Sequence, residues 1–579
     1  MKKILALLVT LFSLNSFSQA PSIDWAKCLG GASIDHASSI QQTTDGGYII
    51  CGLTWSNDGD VAGNHGQSDI WVVKLNASGN LVWQKCLGGS SFEFGTSIQQ
   101  TTDGGFIICC LTSSNDGDVS GYHGDTDIWV VKLNSTGNIL WQKCLGGTLN
   151  ESKTSIQQTT DGGFIICGNT SSNDGDVAGY HGDIDIWVVK LNASGNLVWQ
   201  KCLGGTSGEY EASIQQTTDE GFIICCLTWS NDGDVAGNHG QSDIWVVKLN
   251  VSGNLVWQKC LGGTLFDATN ENSIQQTPDG GYIICGYTYS NDGDVAGNHG
   301  QSDIWVVKLN AFSNLVWQKC FGGTSLDDTH ENSIQQTTDG GFIICGVTGS
   351  NDGDVSGNHG GSDRWMLKLN ASGNLVWQKC LGGTSNDSHA SSSIQQTTDG
   401  GYIICSVTQS NDGDVSGNHG DEDIWVVNLN STGSILWQKC LGGTLNESIT
   451  SIQQTTDGGY IVAGNTNSID GDVTGNNGEG DIWVVKLNAT LSLVENELNN
   501  KEFELYPNPT NGKVTLKVND QFNPQLVTIK NSNGQILEKI NVSKNTSNEF
   551  EIEINAENGI YFIAVFDGEK TITKKVIKN

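Results

Sequence analysis

Repetition constrains this chain more than any other feature. Ser-Ile-Gln-Gln-Thr begins at Ser39, Ser97, Ser155, Ser213, Ser273, Ser333, Ser393 and Ser451. Asp-Ile-Trp ends at Trp71, Trp129, Trp187, Trp245, Trp305, Trp425 and Trp483, with Arg364-Trp365 as its variant. Trp-x-Lys-Cys starts at Trp25, Trp83, Trp141, Trp199, Trp257, Trp317, Trp377 and Trp437. Each signature occurs eight times, at a period of 58 or 60 residues. A fixed period of this kind means one supersecondary unit copied along the chain, each copy too small to bury its own apolar face.

One unit reads as four short strands. Ser39 to Thr44 is a polar first strand, and Asp45-Gly46-Gly47 is a tight turn, since Gly tolerates positive φ. Tyr48 to Thr54 is a near-continuous apolar second strand, as expected of a sheet covered on both faces. A long Asp/Asn/Gly loop leads to the third strand, Ile70 to Leu75, and a Ser-Gly-Asn turn leads to the fourth, Leu81 to Leu87. With 75 Gly and 5 Pro and no long helical pattern, the fold class is all-β, and four antiparallel strands per unit match propeller blades.

The ends of the array favour a closed ring over an open solenoid. The array starts with an orphan fourth strand around Trp25 and stops after an orphan third strand, Ile482 to Leu487. The N-terminal strand therefore completes the eighth blade, removing the open edges. The expected organisation is a signal peptide over 1–18, an eight-bladed β-propeller over 20–493, a linker over 494–502 and a small C-terminal β-sandwich over 503–579. Lys2 and Lys3, the apolar run Ile4 to Phe12 and Ser16-Phe17-Ser18 form the export signal. No other stretch is long and apolar enough for a transmembrane segment.

The formal net charge is −34. The tail after Leu493 is nearly balanced, with 10 Lys against 12 acids, so the excess lies in the repeats. Such a field repels nucleic acid, which is excluded as a partner, and attracts cations. The 17 Cys fall on the second and fourth strands, which lie about 9.5 Å apart within one blade, beyond the reach of a disulfide; most read as small buried hydrophobes, with bridges between neighbouring blades as the alternative.

Propeller topology places the long loops and the inter-blade loops on one face. Asp58, Asp60, Asp69 and their repeat equivalents offer the oxygen donors that calcium takes, although their spacing is not that of an EF-hand, and Asp and Asn also serve as turn formers. Calcium is the one cofactor the composition suggests. An acid also follows each Gly-Gly pair by four residues (Asp35, Glu93, Glu151, Glu209, Asp267, Asp327, Asp387 and Glu447), and is expected at the channel mouth. His65 and its six counterparts read as hydrogen-bonded loop residues. The period lengthens in the inter-blade segments Thr264–Asn272, Thr324–Asn332 and Thr384–Ser392. Because a binding site departs from symmetry, the candidate ligand-binding residues are Phe266, Asp267, Glu271, Asp327, Asp328, His330, Glu331, Asp387 and His389.

No catalytic constellation stands out. Acids occur on every blade, and neither Gly-x-Ser-x-Gly nor His-Glu-x-x-His is present. The expectation is a non-enzymatic binding or adhesion module for an extracellular glycan or other surface ligand. The alternatives are a carbohydrate-active hydrolase using carboxylates of the long-loop face, and a structural spacer. The Trp-rich repeats loosely resemble quinoprotein dehydrogenase propellers, which can carry adjacent cysteines. Here Cys109-Cys110 and Cys225-Cys226 arise by replacement of a repeat residue, which is drift.

The tail opens with Tyr506-Pro507-Asn508-Pro509, continues through Asn558-Gly559-Ile560-Tyr561 and ends in a segment containing Lys574-Lys575. Together these motifs resemble the type A sorting domain of type IX secretion. The repeats resemble those of secreted proteins that carry such tails. The resemblance implies passage through the periplasm, recognition of Tyr506, Pro507, Asn508, Pro509, Gly559, Tyr561, Lys574 and Lys575 as the sorting signal, the type IX machinery as partner, and a final location that is secreted or at the cell surface.

Overall fold

A computed structural model describes residues 19–387, 393–489, 503–519, 522–531, 536–542, 548–567 and 571–579. The signal segment 1–18 and the linker 494–502 lie outside the described residues. The chain divides into two units, Met1–Asn488 and Ala489–Asn579.

The first unit consists of eight four-stranded antiparallel sheets. Blade 1 is Asp35–Gln42, Tyr48–Thr54, Asp69–Leu75 and Leu81–Leu87, in that order from the innermost strand outward. Blades 2 to 7 repeat this order. Blade 8 is completed from both ends of the array: Ile23–Leu29 pairs with Asp481–Leu487, with Cys28 opposite Trp483 and Ala26 opposite Val485.

The second strand is apolar throughout because both of its faces are covered. Tyr48, Ile50, Trp71 and Val73 pack against Ile461, Ala463, Ile482 and Val484 of blade 8, whereas Ile49, Cys51, Ile70 and Val72 pack against Phe106, Ile108, Trp129 and Val131 of blade 2. The ring is thus closed by the same packing that joins its other blades. Outside this core, Trp25 of the N-terminal strand stands edge-on to Tyr48 at 5.7 Å, and Trp83 stands likewise to Phe106 at 5.9 Å.

The glutamines of the repeat signature form a belt around the axis. The Gln100 N–H donates to Oε1 of Gln41 at 2.8 Å, and the equivalent bond recurs at every junction, ending with Gln42 to Gln453. The second glutamine binds backward, its Oε1 accepting from the preceding blade's threonine, as with Thr44 and Gln100 at 2.9 Å. Blade 5 has Pro278 at the threonine position, which has no N–H to give.

On the tight-turn face, Lys74 is buried and its Nζ donates to Asp45 Oδ1 at 3.1 Å and to the Leu75 carbonyl at 3.0 Å. Asp45 also accepts from Thr43 Oγ1 and the Gly47 N–H. Gly46 adopts a φ of 79°. Glu220 stands at the corresponding turn position of blade 4 with a φ of 64°, a conformation that favours glycine.

The second unit is a two-sheet sandwich. Phe503–Tyr506, Lys513–Val518 and Glu549–Glu553 form one sheet; Ile536–Asn541, Leu526–Asn531, Gly559–Phe566 and Thr571–Lys578 form the other. Phe503, Leu516 and Ile552 meet Val527, Ile563 and Val576 in one core. Asn508 ties the opening motif to the last strand: its Nδ2 donates to the Lys575 carbonyl at 2.8 Å, and its Oδ1 accepts from Ile577 N at 2.9 Å. Tyr506 donates to Glu549, Tyr561 donates to the Glu557 carbonyl, and the Lys574 ammonium lies 5.2 Å from the Phe503 ring centre. Pro507, Pro509 and Gly559 lie within the same two turns and strand ends.

Candidate ligand-binding face

The long loop of each blade is pinned by its own repeat residues. Trp71 Nε1 donates to Gln84 Oε1 at 2.9 Å, and Gln84 Nε2 donates to the Ala62 carbonyl at 3.0 Å, so the outer strand holds the loop. Asp58 Oδ1 accepts from Ala32 N at 2.8 Å, and the Asp60 N–H donates to the Gly30 carbonyl at 2.9 Å; both fasten the loop to the preceding inter-blade segment.

Asp69 is fully buried. Its Oδ2 accepts from the His65 backbone N–H at 3.1 Å and lies 2.6 Å from His65 Nδ1. The far side of that imidazole, Nε2, is 4.0 Å from Asp118 of the next blade's loop. The histidine therefore bridges two blades. The arrangement recurs at His123, His181, His299 and His359, and Asn477 takes the place of histidine in blade 8. Asp58, Asp60 and Asp69 thus belong to different hydrogen-bond sets. Among the described residues, no three His, Cys, Asp or Glu side chains gather as a metal ion requires.

The acids that follow the Gly-Gly pairs do not ring the channel mouth as the sequence suggested. Asp35, Glu93, Glu209, Asp267, Asp327, Asp387 and Glu447 are fully buried and Glu151 nearly so. Asp267 accepts from Thr288 Oγ1, from Gly263 N at 2.7 Å and from Ser290 Oγ at 2.8 Å, and Asp327 and Asp387 have the same three kinds of partner. A carboxylate that satisfies two loops and a turn organises the blade junction. Gly88 is needed there: a Cβ would sit 2.3 Å from Glu93 Oε2 and 2.7 Å from Asp69 Oδ1. Burial pushes Glu151 and Glu209 up to about 7, and Asp243, Asp303 and Asp481 up to about 6.

All 17 cysteines are buried thiols outside any disulfide. Cys51 faces blade 2 and Cys86 faces blade 8, so the two thiols of one blade point to opposite sides of its sheet.

The lengthened segments of blades 5 and 6 do not enlarge a loop, as the sequence spacing suggested. Their extra residues are absorbed as a bulge inside the innermost strands, Asp267–Gln276 and Asp327–Gln336, where the register shifts between Thr269 and Ile274 and between Thr329 and Ile334. Asn270 in the first bulge donates to the Thr329 carbonyl at 2.7 Å. Glu271, His330 and Glu331 belong to these strands with side chains outside the description, and His389 lies outside the described residues altogether.

Among the candidates, Phe266 belongs to one aromatic feature of the loop face, and the charge of Asp328 is felt there at Tyr287. Phe266 is the hub of four aromatic rings, with Trp229 at 5.7 Å, Tyr287 at 6.1 Å and Tyr289 at 6.3 Å. Tyr287 and Tyr289 are themselves 6.3 Å apart at 75°. Trp229 is 42% exposed and the other three are half-buried. Asp328 accepts from Ser302 Oγ at 2.6 Å. Burial, then the charges of Asp328 and the neighbouring Tyr289, push the Tyr287 phenol up to about 12, so it is neutral at physiological pH. Sequence reasoning passed over Trp229, Tyr287 and Tyr289. Their signal was available as departures from the repeat: the positions equivalent to Tyr287 hold Leu, Asn or Val in every other blade.

Residues 504–579 match the secretion system C-terminal sorting domain family, Por_Secre_tail. The tail directs export by type IX secretion to the cell surface or the extracellular space. No curated protein matches the chain. Among solved structures, a mutant puromycin hydrolase complexed with PGG is 11% identical with a TM-score of 0.38, over 77% of this chain and 58% of that one. A GH93 alpha-L-arabinofuranosidase of Fusarium graminearum with arabinobiose is 8% identical with a TM-score of 0.34, over 68% of this chain and 92% of that one. The WD40 domain of Neurospora crassa Pan2 is 12% identical with a TM-score of 0.34, over 66% of this chain and 86% of that one. This chain spans little more than half of the puromycin hydrolase's length, and at such identities no activity carries over.

Proposed function

We propose that this exported propeller is a non-catalytic binding or adhesion module that takes an extracellular glycan on its long-loop face. The observation that supports this reading is the use to which the acids are put. The carboxylates that follow the Gly-Gly pairs, Glu151 and Glu209 among them, are buried at the blade junctions with hydrogen bonds from Thr and Gly, out of reach of a substrate. The departures from eightfold symmetry on that face include a cluster of four aromatic rings, which suits contact with a ligand better than proton transfer.

The test uses the secreted full chain. It is incubated with insoluble cellulose, chitin, xylan and mannan, and both bound protein and released reducing ends are measured. Retention on at least one polysaccharide without reducing-end release supports the reading. Release abolished by Asp328→Asn supports a hydrolase instead. No retention on any of them, with no release, leaves a spacer role.

A further inference from the structure

We infer that Trp229, Phe266, Tyr287 and Tyr289, with the Asp328 carboxylate beside them, form a carbohydrate subsite that stacks the apolar faces of a neutral pyranose chain. The inference rests on the glycan-binding reading above and gives that reading a place on the ring.

The fold does not require these rings. The seven positions equivalent to Trp229 hold Trp55, Ser113, Ser171, Tyr289, Gly349, Gln409 and Asn467, and those equivalent to Phe266 range from Gly208 to Phe92. Eight blades close around the same junction with any of these side chains, so aromatic bulk here contributes nothing the ring depends on. The fold nevertheless brings four such residues together at one junction. Trp229 follows the second strand of blade 4, Phe266 precedes the first strand of blade 5, and Tyr287 and Tyr289 lie at the end of that blade's second strand. Their backbones are fastened: Trp229 N donates to the Gly208 carbonyl at 3.1 Å and Tyr289 N to the Phe266 carbonyl at 3.0 Å. The other ring contact on this face among the described residues is the pair His36 and Trp55.

The chemistry of the patch selects its occupant. Neighbouring rings at 5.7 and 6.3 Å make a preformed platform with two χ angles per side chain to order. The C–H face of a pyranose covers such a platform while its hydroxyls stay at the rim. There, Asp328 supplies an acceptor and the neutral Tyr287 phenol both donates and accepts. The net charge of −34 disfavours uronic or sialic acids and leaves neutral sugars unopposed. An ammonium ligand would be drawn by the same charge, but on rings as open as Trp229 it keeps most of its hydration and gains little.

The secreted full chain is titrated by calorimetry with cellohexaose, chitohexaose, xylohexaose, mannohexaose, laminarihexaose and tetramethylammonium. The test variant carries Trp229→Ser, Tyr287→Leu and Tyr289→Ser, each a residue the repeat itself uses at that position. A second variant, Asp328→Asn, leaves the rings in place, and Trp55→Ser on blade 1 is the control. At least one hexasaccharide is expected to bind, about tenfold or more weaker to the triple variant, weaker to Asp328→Asn and unchanged to Trp55→Ser. Unchanged affinity in both test variants overturns the subsite and leaves the glycan-binding reading standing. Binding of no hexasaccharide overturns both. Binding of tetramethylammonium alone is one such outcome and assigns the rings to an ammonium ligand instead.

Discussion

The Gln42 backbone N–H donates to the side-chain Oε1 of Gln453 at 2.9 Å, across 411 positions of sequence. This bond is the last of eight equivalent ones, and it joins the first blade of the array to the last. Together with Cys28 opposite Trp483 on the outer strand, it makes closure a property of both rims of the ring.

Removal of Ile23–Leu29 tests this closure. The deletion exposes the ladder of Asp481–Leu487 as an open edge and uncovers Tyr48 from Trp25. The account expects a lower Tm and concentration-dependent self-association through that edge, read by calorimetry and light scattering. A monomeric deletion variant with wild-type Tm would contradict it.

The two turns that lack their repeat glycine should improve when it is restored. Glu220 has a φ of 64° and Ser313 a φ of 62°, where the other copies of these turns hold glycine. A left-handed conformation costs a side-chain-bearing residue about 1–2 kcal/mol, partly offset by the extra freedom of glycine in the unfolded chain. Glu220→Gly and Ser313→Gly should each stabilise the propeller by about 0.5–1 kcal/mol, raising its Tm by about 1 °C. A fall in Tm for either would show that the turn is not strained.

The reach of sequence reasoning can be judged from the residues themselves. Tyr48 to Thr54 was legible as a doubly covered strand because its apolar run reports burial directly. The orphan strand at Trp25 was legible because the repeat counts its own missing part. The burial of Asp69 and Asp267, offered from the sequence as candidate calcium and ligand residues, was not legible, because acid composition alone does not report burial. His65 and Gly263 lie only four residues from the acids they bind, but Thr288 and Ser290 reach Asp267 from a separate strand end that meets it only at the folded junction. Trp229 and Tyr289 lie 60 residues apart in different blades, and each alone reads as an ordinary variable loop position.

Those buried acids fix the direction of pH dependence. Glu151 and Glu209 rise from 4.5 to about 7 through burial, so the folded chain holds protons that the unfolded chain has released. Stability is therefore lost as pH rises from about 4 to about 7. His65 and His299 act in the same direction: burial opposes their protonation, but the adjacent Asp69 and Asp303 outweigh it, and stability present below 6.5 is lost as pH rises through the raised pKa. Asp45 works oppositely. Partial burial raises it, but Thr43, Gly47 and Lys74 hold it at about 2, so its contribution is present above 3.8 and lost as pH falls toward 2. Tm should peak between about pH 4 and 5 and fall by several degrees toward pH 8. Glu151→Gln with Glu209→Gln should flatten the upper slope, and a Tm that rises from pH 5 to 8 would refute this assignment.

The central claim is that a self-contained propeller is carried out of the cell by its C-terminal sandwich. Cell fractionation of the full chain beside a chain ending at Leu493 tests it most directly. The full chain should reach the surface or the medium, and the truncated chain should remain in the periplasm, folded and with the Tm of the propeller. Efficient appearance of the truncated chain outside the cell would contradict the claim.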